Sequence, residues 1–254
     1  MVAIITGASS GIGYEFSAQL ASRGHDLTVI ARNADRLASL AKELETKHSV
    51  TVKTVSADLT TDSGVKLACQ AITTEPQPIE ILVNNAGMGL GGSFLANTAK
   101  DEEKMLALNV LSVMHLTHAA LPVMLEHGQG TIINVSSVAG FGPVKPGSSY
   151  PASKAWVTNF SQSIDAAISP DGVRVMALCP GFVRTEFHER SNIDVGKKDS
   201  WHWLDPSEVV TDALADMEKG KSVSVPSFRY KTISAVVRHT PRALLRRLTS
   251  LRPH

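Results

Sequence analysis

Short apolar runs and longer stretches of helical spacing alternate along this chain almost from end to end. Residues 2–6 form an apolar run, a glycine-rich turn follows, and Tyr14, Phe16, Leu20 and Ala21 then recur at helical intervals. A second strand is expected over 26–31. A helix over 34–47 places Leu37, Leu40, Ala41 and Leu44 on its inner face, and a third strand follows over 50–55. Further strands are expected at 79–83, 131–135, 172–178 and, briefly, 221–226. Between them lie helical patterns over 100–126, 150–169 and 206–219, the first carrying Met105, Leu108, Leu111, Val113, Leu116, Ala120 and Met124. Alternation of this kind specifies an α/β fold: a doubly wound, mainly seven-stranded parallel sheet with helices on both faces. One domain spans 1–228. Within it, 182–205 has no clean period and is expected to form a substrate loop. A basic amphipathic tail, 229–254, completes the chain.

Composition narrows the class. An apolar fraction of 43% fills a sizeable core, and 19% charged residues is ordinary for a soluble protein. The net charge of +1 gives no global field for nucleic acid. The charge is unevenly placed, however. Nine Lys or Arg and no acid follow Glu218, which leaves 16 basic against 24 acidic residues, a net of −8, on the rest. Cys69 and Cys179 have neither a metal nor a redox spacing and read as inert thiols. His188 and His202 are too irregularly placed for a metal site, and no metal is expected. With no signal peptide and no apolar run of about 18–20 residues, a cytoplasmic protein is expected.

Candidate chemistry lies where strands end. Gly7, Gly11 and Gly13 sit between the first strand and first helix, where glycines let backbone approach a pyrophosphate lodged on free helix N–H groups. The second strand ends at Ala31, followed by Arg32-Asn33. A carboxylate there would bond a ribose 2′-hydroxyl, whereas a guanidinium suits a 2′-phosphate. NADP(H) is therefore favoured over NAD, the alternative being an Arg32 that merely faces water beside Asp35. Asp58 either accepts from an adenine amino group or caps the next helix. Asn84-Asn85-Ala86-Gly87 follows the fourth strand, in the crevice where such sheets bind ligands. Tyr150 and Lys154 are four residues apart, hence on one helical face, and a neighbouring ammonium is expected to draw the phenol's pKa down.

These segments occur in an order that resembles the short-chain dehydrogenase/reductase superfamily. The resemblance rests on Thr6-Gly7-Ala8-Ser9-Ser10-Gly11-Ile12-Gly13, Asn84 to Gly87, Asn109, Ser137, Tyr150-x-x-x-Lys154 and Pro180-Gly181, and covers about residues 1–225. It implies a Rossmann-type fold and hydride transfer between a nicotinamide and a carbonyl or secondary alcohol. The implied catalytic set is Asn109, Ser137, Tyr150 and Lys154. Tyr150 is the acid or base, Ser137 the donor to the substrate oxygen, Lys154 a ribose contact, and Asn109 the support of a proton path. The implied cofactor contacts are Gly7, Ser9, Ser10, Gly11, Ile12, Gly13, Arg32, Asn33, Asp58, Leu59, Asn85, Ala86, Gly87, Tyr150, Lys154, Pro180, Gly181, Val183 and Thr185. The resemblance also implies a homodimer or homotetramer built through the helices near 100–126 and 151–169.

Two other functions compete: a regulatory protein that binds the nucleotide without turnover, and a serine hydrolase using Ser137 and Lys154. The latter lacks a Gly-x-Ser-x-Gly elbow. In the tail, docking of its apolar face on an acidic protein surface is favoured over contact with an anionic membrane. Pro151, directly after Tyr150, places the tyrosine at or just before its helix start.

Overall fold

The strand Val2–Thr6 (β1) is apolar on both faces and fully buried, as a central strand of a covered parallel sheet must be. A computed structural model describes residues 1–142, 148–191 and 201–240, without the side chains of 238 and 239. Around β1 lie Asp26–Ala31 (β2), Val52–Ser56 (β3), Ile79–Asn84 (β4), Gly130–Val135 (β5) and Val173–Leu178 (β6). A two-residue pair, Phe182–Val183 (β7) and Trp203–Leu204 (β8), stands apart, and Val223–Ser224 (β9) closes the main sheet. The order is β3-β2-β1-β4-β5-β6-β9, parallel throughout, so the expected seven-stranded doubly wound sheet is present. Connections run outward in opposite directions from β1 and β4. That leaves a crevice at their carboxyl ends, which is where Gly7 and Asn85 emerge.

The helices cover both faces. Gly11–Ser22 (α1) and Ala34–His48 (α2) bury Phe16, Leu20, Leu37, Leu40, Ala41 and Leu44, the stripe legible in the sequence. Asn33 caps α2 by accepting from Arg36 N at 2.8 Å. Asp62–Thr73 (α3) is capped by Thr61, whose side chain accepts from Gly64 N at 3.1 Å. Asp58 is therefore not the cap.

The long helix expected over 100–126 is interrupted. Ala99–Leu106 (α4) passes through a π-helical turn, Ala107–Leu111, into Ser112–Glu126 (α5). The wide turn shifts the register, so Leu111 faces outward instead of joining the core. By length and composition alone, Ala99–Glu126 would pass for a membrane span, although no shorter apolar run suggested one. Here its apolar face packs on the sheet through Leu116, Ala120 and Met124.

Tyr150–Ile168 (α6) packs beside β6, and Pro206–Glu218 (α8) beside α1. Phe187–Arg190 (α7) is a single turn. Phe228–His239 (α9) opens the segment assigned to the tail, yet it belongs to the domain. Tyr230 is buried in the main core, and its hydroxyl accepts from Phe182 N at 3.1 Å and donates to His202 O at 2.8 Å. A methyl group on Gly181 would lie 2.0 Å from the Tyr230 ring, so only glycine fits beneath it. Residues 241–251, the second basic pattern, lie outside the described residues.

Candidate active site

Thr6 ends β1 and organises the first wall. Its Oγ1 accepts from Asn85 N and Ala86 N, both at 3.0 Å, and donates to Val83 O at 3.3 Å. Asn85 returns the bond, donating from Nδ2 to Thr6 O at 2.9 Å and Gly7 O at 3.2 Å. The β1 and β4 turns are thereby locked together. Gly7 is left at φ +65°, with no room for a side chain: a Cβ would meet Asn85 Nδ2 at 2.7 Å. Helix α1 then starts with no side-chain cap and no acid in its first turn, unlike α2 and α3. Its N–H groups are thus available to an anion, and the bare turn fits a dinucleotide pyrophosphate.

The second wall is built by β5 and α6. Ser136 is buried; its hydroxyl donates to Lys154 O at 2.7 Å and pairs with the Thr158 hydroxyl, also at 2.7 Å. This anchors the neighbouring Ser137, which caps the short 3₁₀ turn Val138–Phe141 by accepting from Ala139 N at 3.1 Å. With that lone pair engaged, the Ser137 hydroxyl hydrogen remains available to an oxygen in the cleft. That oxygen is the phenol of Tyr150, the first residue of α6, to which Ser137 donates until a substrate oxygen takes its place. Pro151 at the following position is tolerated in a first helical turn.

One turn on, Lys154 Nζ donates to Val135 O at 2.8 Å and lies 5.8 Å from the Tyr150 ring centroid. Asn109 projects from the π-helical turn. Its carboxamide accepts from Met88 N at 2.9 Å, and donates to Met88 O at 2.8 Å and to Ser153 Oγ at 3.3 Å. A methyl group on Gly87 would lie 3.3 Å from Asn109 Oδ1 and 3.6 Å from Lys154 Nζ, so amide and ammonium converge on one backbone position.

Burial reverses the expected electrostatics. The Tyr150 phenol is pushed up to about 12 by desolvation, opposed only in part by its bond with Ser137. Lys154 is itself pushed down to about 8, again by desolvation. Spacing along a helix shows that an ammonium neighbours a phenol. It does not show how deeply each is packed, with Lys154 buried and Tyr150 partly so, nor that the charged form of each is thereby disfavoured.

Both walls face one cavity of about 1400 Å³. It gathers Gly7, Ser9, Ser10, Gly11, Ile12, Arg32, Asn33, Asp58, Leu59, Asn85, Ala86, Gly87, Ser137, Tyr150, Lys154, Pro180, Gly181, Val183 and Thr185 from segments far apart in sequence. Gly13 and Asn109, also expected at the site, do not line it. Gly13 is buried behind the turn, where a Cβ would strike Gly7 O at 2.3 Å, and Asn109 acts from behind Gly87. Asp58 lines the cavity. Although desolvation works against it, its carboxyl stays below the usual range through bonds from Thr60 N and Oγ1 and the charge of Arg32. Three charged residues on the wall went unnoticed in the sequence: Arg36, Lys104 and Arg190. Arg36 was detectable in principle, standing in the first turn of the helix that follows Arg32.

The substrate end is apolar and aromatic. Phe187 packs on Tyr150 with ring centroids 6.0 Å apart, and His188 meets Phe187 at 5.3 Å and Trp203 at 4.9 Å. Met88, Leu90 and Leu108 line the same space.

A family model described as short chain dehydrogenase matches residues 1–196. The chain belongs to the short-chain dehydrogenase family. This oxidoreductase is 34% identical over 197 residues to an uncharacterized oxidoreductase of Staphylococcus epidermidis, covering 78% of this chain and 84% of the relative. Its fold matches a short-chain dehydrogenase from Sphingobium yanoikuyae in complex with NADPH at a TM-score of 0.87 and 33% identity, over 100% of this chain and 96% of the other. It also matches a bulky-bulky ketone specific alcohol dehydrogenase from Comamonas testosteroni at 0.81 and 30% identity, over 100% and 95%. The dehydrogenase thus has the sheet, the glycine turn and the Ser-Tyr-Lys constellation in one frame.

Proposed function

We propose that this dehydrogenase is an NADP(H)-dependent reductase of bulky, apolar ketones, which in reverse oxidises the corresponding secondary alcohols. One observation carries it: Ser137, Tyr150 and Lys154 share a single cavity with the uncapped α1 turn and a basic edge formed by Arg32 and Arg36. The Sphingobium relative in complex with NADPH supports the cofactor, and the Comamonas relative named for bulky-bulky ketones supports the substrate class. The aromatic wall of Phe187 and His188 beside Tyr150 supports a substrate with apolar groups on both sides of its carbonyl.

The reduced nicotinamide, when bound, supplies the hydride. Ser137 donates its hydroxyl hydrogen to the ketone oxygen and fixes where negative charge develops. Tyr150 holds a proton at neutral pH, since its phenol is pushed up to about 12, and delivers that proton to the same oxygen. Lys154, seated behind the phenol, is the nearest group able to return a proton to Tyr150, and Asn109 holds the Met88 backbone beside it. Arg32 and Arg36 would hold a 2′-phosphate, and the α1 N–H groups a pyrophosphate.

Following NADPH and NADH consumption in parallel across small, aryl and alicyclic ketones tests this. Turnover is expected with NADPH and the larger ketones. A protein that binds NADPH tightly yet turns over none of them would be a nucleotide-binding regulator instead, and equal rates with NADH would remove the cofactor assignment.

A further inference from the structure

An ion cluster crosses the mouth of the cavity. Arg36, in the first turn of α2, donates from Nη1 to Glu186 Oε2 at 3.1 Å and Oε1 at 3.4 Å. Glu186 also pairs with Arg190, one helical turn on, and Arg190 Nη1 reaches Ser10 Oγ in the glycine turn at 3.3 Å. The bridge therefore runs from the β2 edge, past the start of α1, to the segment carrying Thr185 and Phe187. It spans the stretch between the pyrophosphate turn and Arg32, where the phosphates of an adenine dinucleotide would lie. Arg36 and Arg190 line the cavity with Arg32. Two guanidiniums, Arg36 and Arg190, share the Glu186 carboxylate, and Arg32 stands by Asp58, so three guanidiniums face two carboxylates and positive charge is in surplus.

We infer that Glu186 is an internal stand-in for the nucleotide 2′-phosphate, occupying Arg36 until a phosphate displaces it. The inference rests on the NADP(H) reading above. Its chemistry is ligand exchange at one guanidinium. Carboxylate and phosphate are both oxyanions that accept from the same Nη hydrogens, and a doubly charged phosphate is the stronger acceptor. The pair is weakly held, since Arg36 and Glu186 side chains are 47% and 45% exposed. A nucleotide without the 2′-phosphate leaves the bridge closed, and one with it opens the bridge. Glu186 thus sets how strongly NADPH is preferred without touching the reacting atoms.

Adenosine 2′,5′-bisphosphate and adenosine 5′-monophosphate differ only in the 2′-phosphate, and their equilibrium binding to the full chain provides the test. Glu186→Gln is expected to tighten the bisphosphate by about threefold to tenfold, the range for an exposed charge contact, and to leave the monophosphate unchanged. The gain should vanish when Arg36→Gln is added. An unchanged or weaker bisphosphate affinity in Glu186→Gln, with the wild type still preferring the bisphosphate, would overturn the stand-in role alone and make Glu186 a positioning residue for Arg36. A wild type that binds both probes equally would overturn the cofactor assignment, and this inference with it.

Discussion

Replacing Lys154 by methionine is expected to yield an inactive but more stable protein. Lys154 is 5% exposed, and burial pushes its ammonium from 10.5 to about 8. At about 1.36 kcal/mol per pK unit, that gap is roughly 3 kcal/mol of penalty on the charged form in the native state. The folded value lies below the unfolded one. The penalty is therefore present in full below pH 8, where both states are charged, and fades as pH rises toward 10.5. Methionine has nothing to desolvate and fills a similar volume. It forfeits the bond to Val135 O, and the orphaned carbonyl costs about 1–2 kcal/mol. The balance near pH 7 is a gain of about 1–2 kcal/mol, or about 3–6 °C in Tm for a chain of this size. At about pH 9.5 the penalty is roughly halved and the gain should shrink to nothing. Scanning calorimetry of the cofactor-free wild type and Lys154→Met at both pH values, with NADPH-linked turnover alongside, measures all of this. A variant less stable than wild type near pH 7, or a difference identical at both pH values, would refute the reasoning.

Three further outcomes are expected. Tyr150→Phe should lower turnover at least about 100-fold while nucleotide binding persists, and near-full activity by NADPH oxidation would remove its role as acid. Arg32→Glu should weaken NADPH by at least about tenfold relative to NADH, read from KM for each, because a phosphate then faces a carboxylate. Tyr230→Phe loses the bonds to Phe182 N and His202 O. About 1–3 kcal/mol of stability should go with them. The ketone KM should also rise more than kcat falls, since β7 and β8 frame the substrate loop.

The strand and helix sequence was legible because period and apolar run length set it directly, as in β1, β2 and the Leu37–Leu40–Leu44 stripe of α2. The position of Tyr150 at a helix start followed from Pro151 alone. What escaped was long-range. Neither the Arg36–Glu186 pair, 150 residues apart, nor the Tyr230 ring over Gly181 leaves a periodic mark. The sign of the Tyr150 shift depends on how much water reaches two side chains, and spacing carries no information about water. The single helix expected over 100–126 failed for a related reason. Leu108 and Leu111 fit an apolar stripe, and nothing in composition marks the extra residue of a π turn.

That wide turn separates two jobs that one continuous rod would couple. Before it, α4 is aligned by its own capping box, Thr98 with Asp101; after it, α5 is aligned by the sheet through Leu116 and Met124. The spare residue lets Asn109 aim at Met88 without dragging either half out of alignment. Deleting Val110 should therefore produce a smoother helix and a worse enzyme, because both flanks keep their alignment while Asn109 loses the wide turn that aims it at Met88. Local regularity and catalytic aim are here opposed, and the chain has settled on the less regular path.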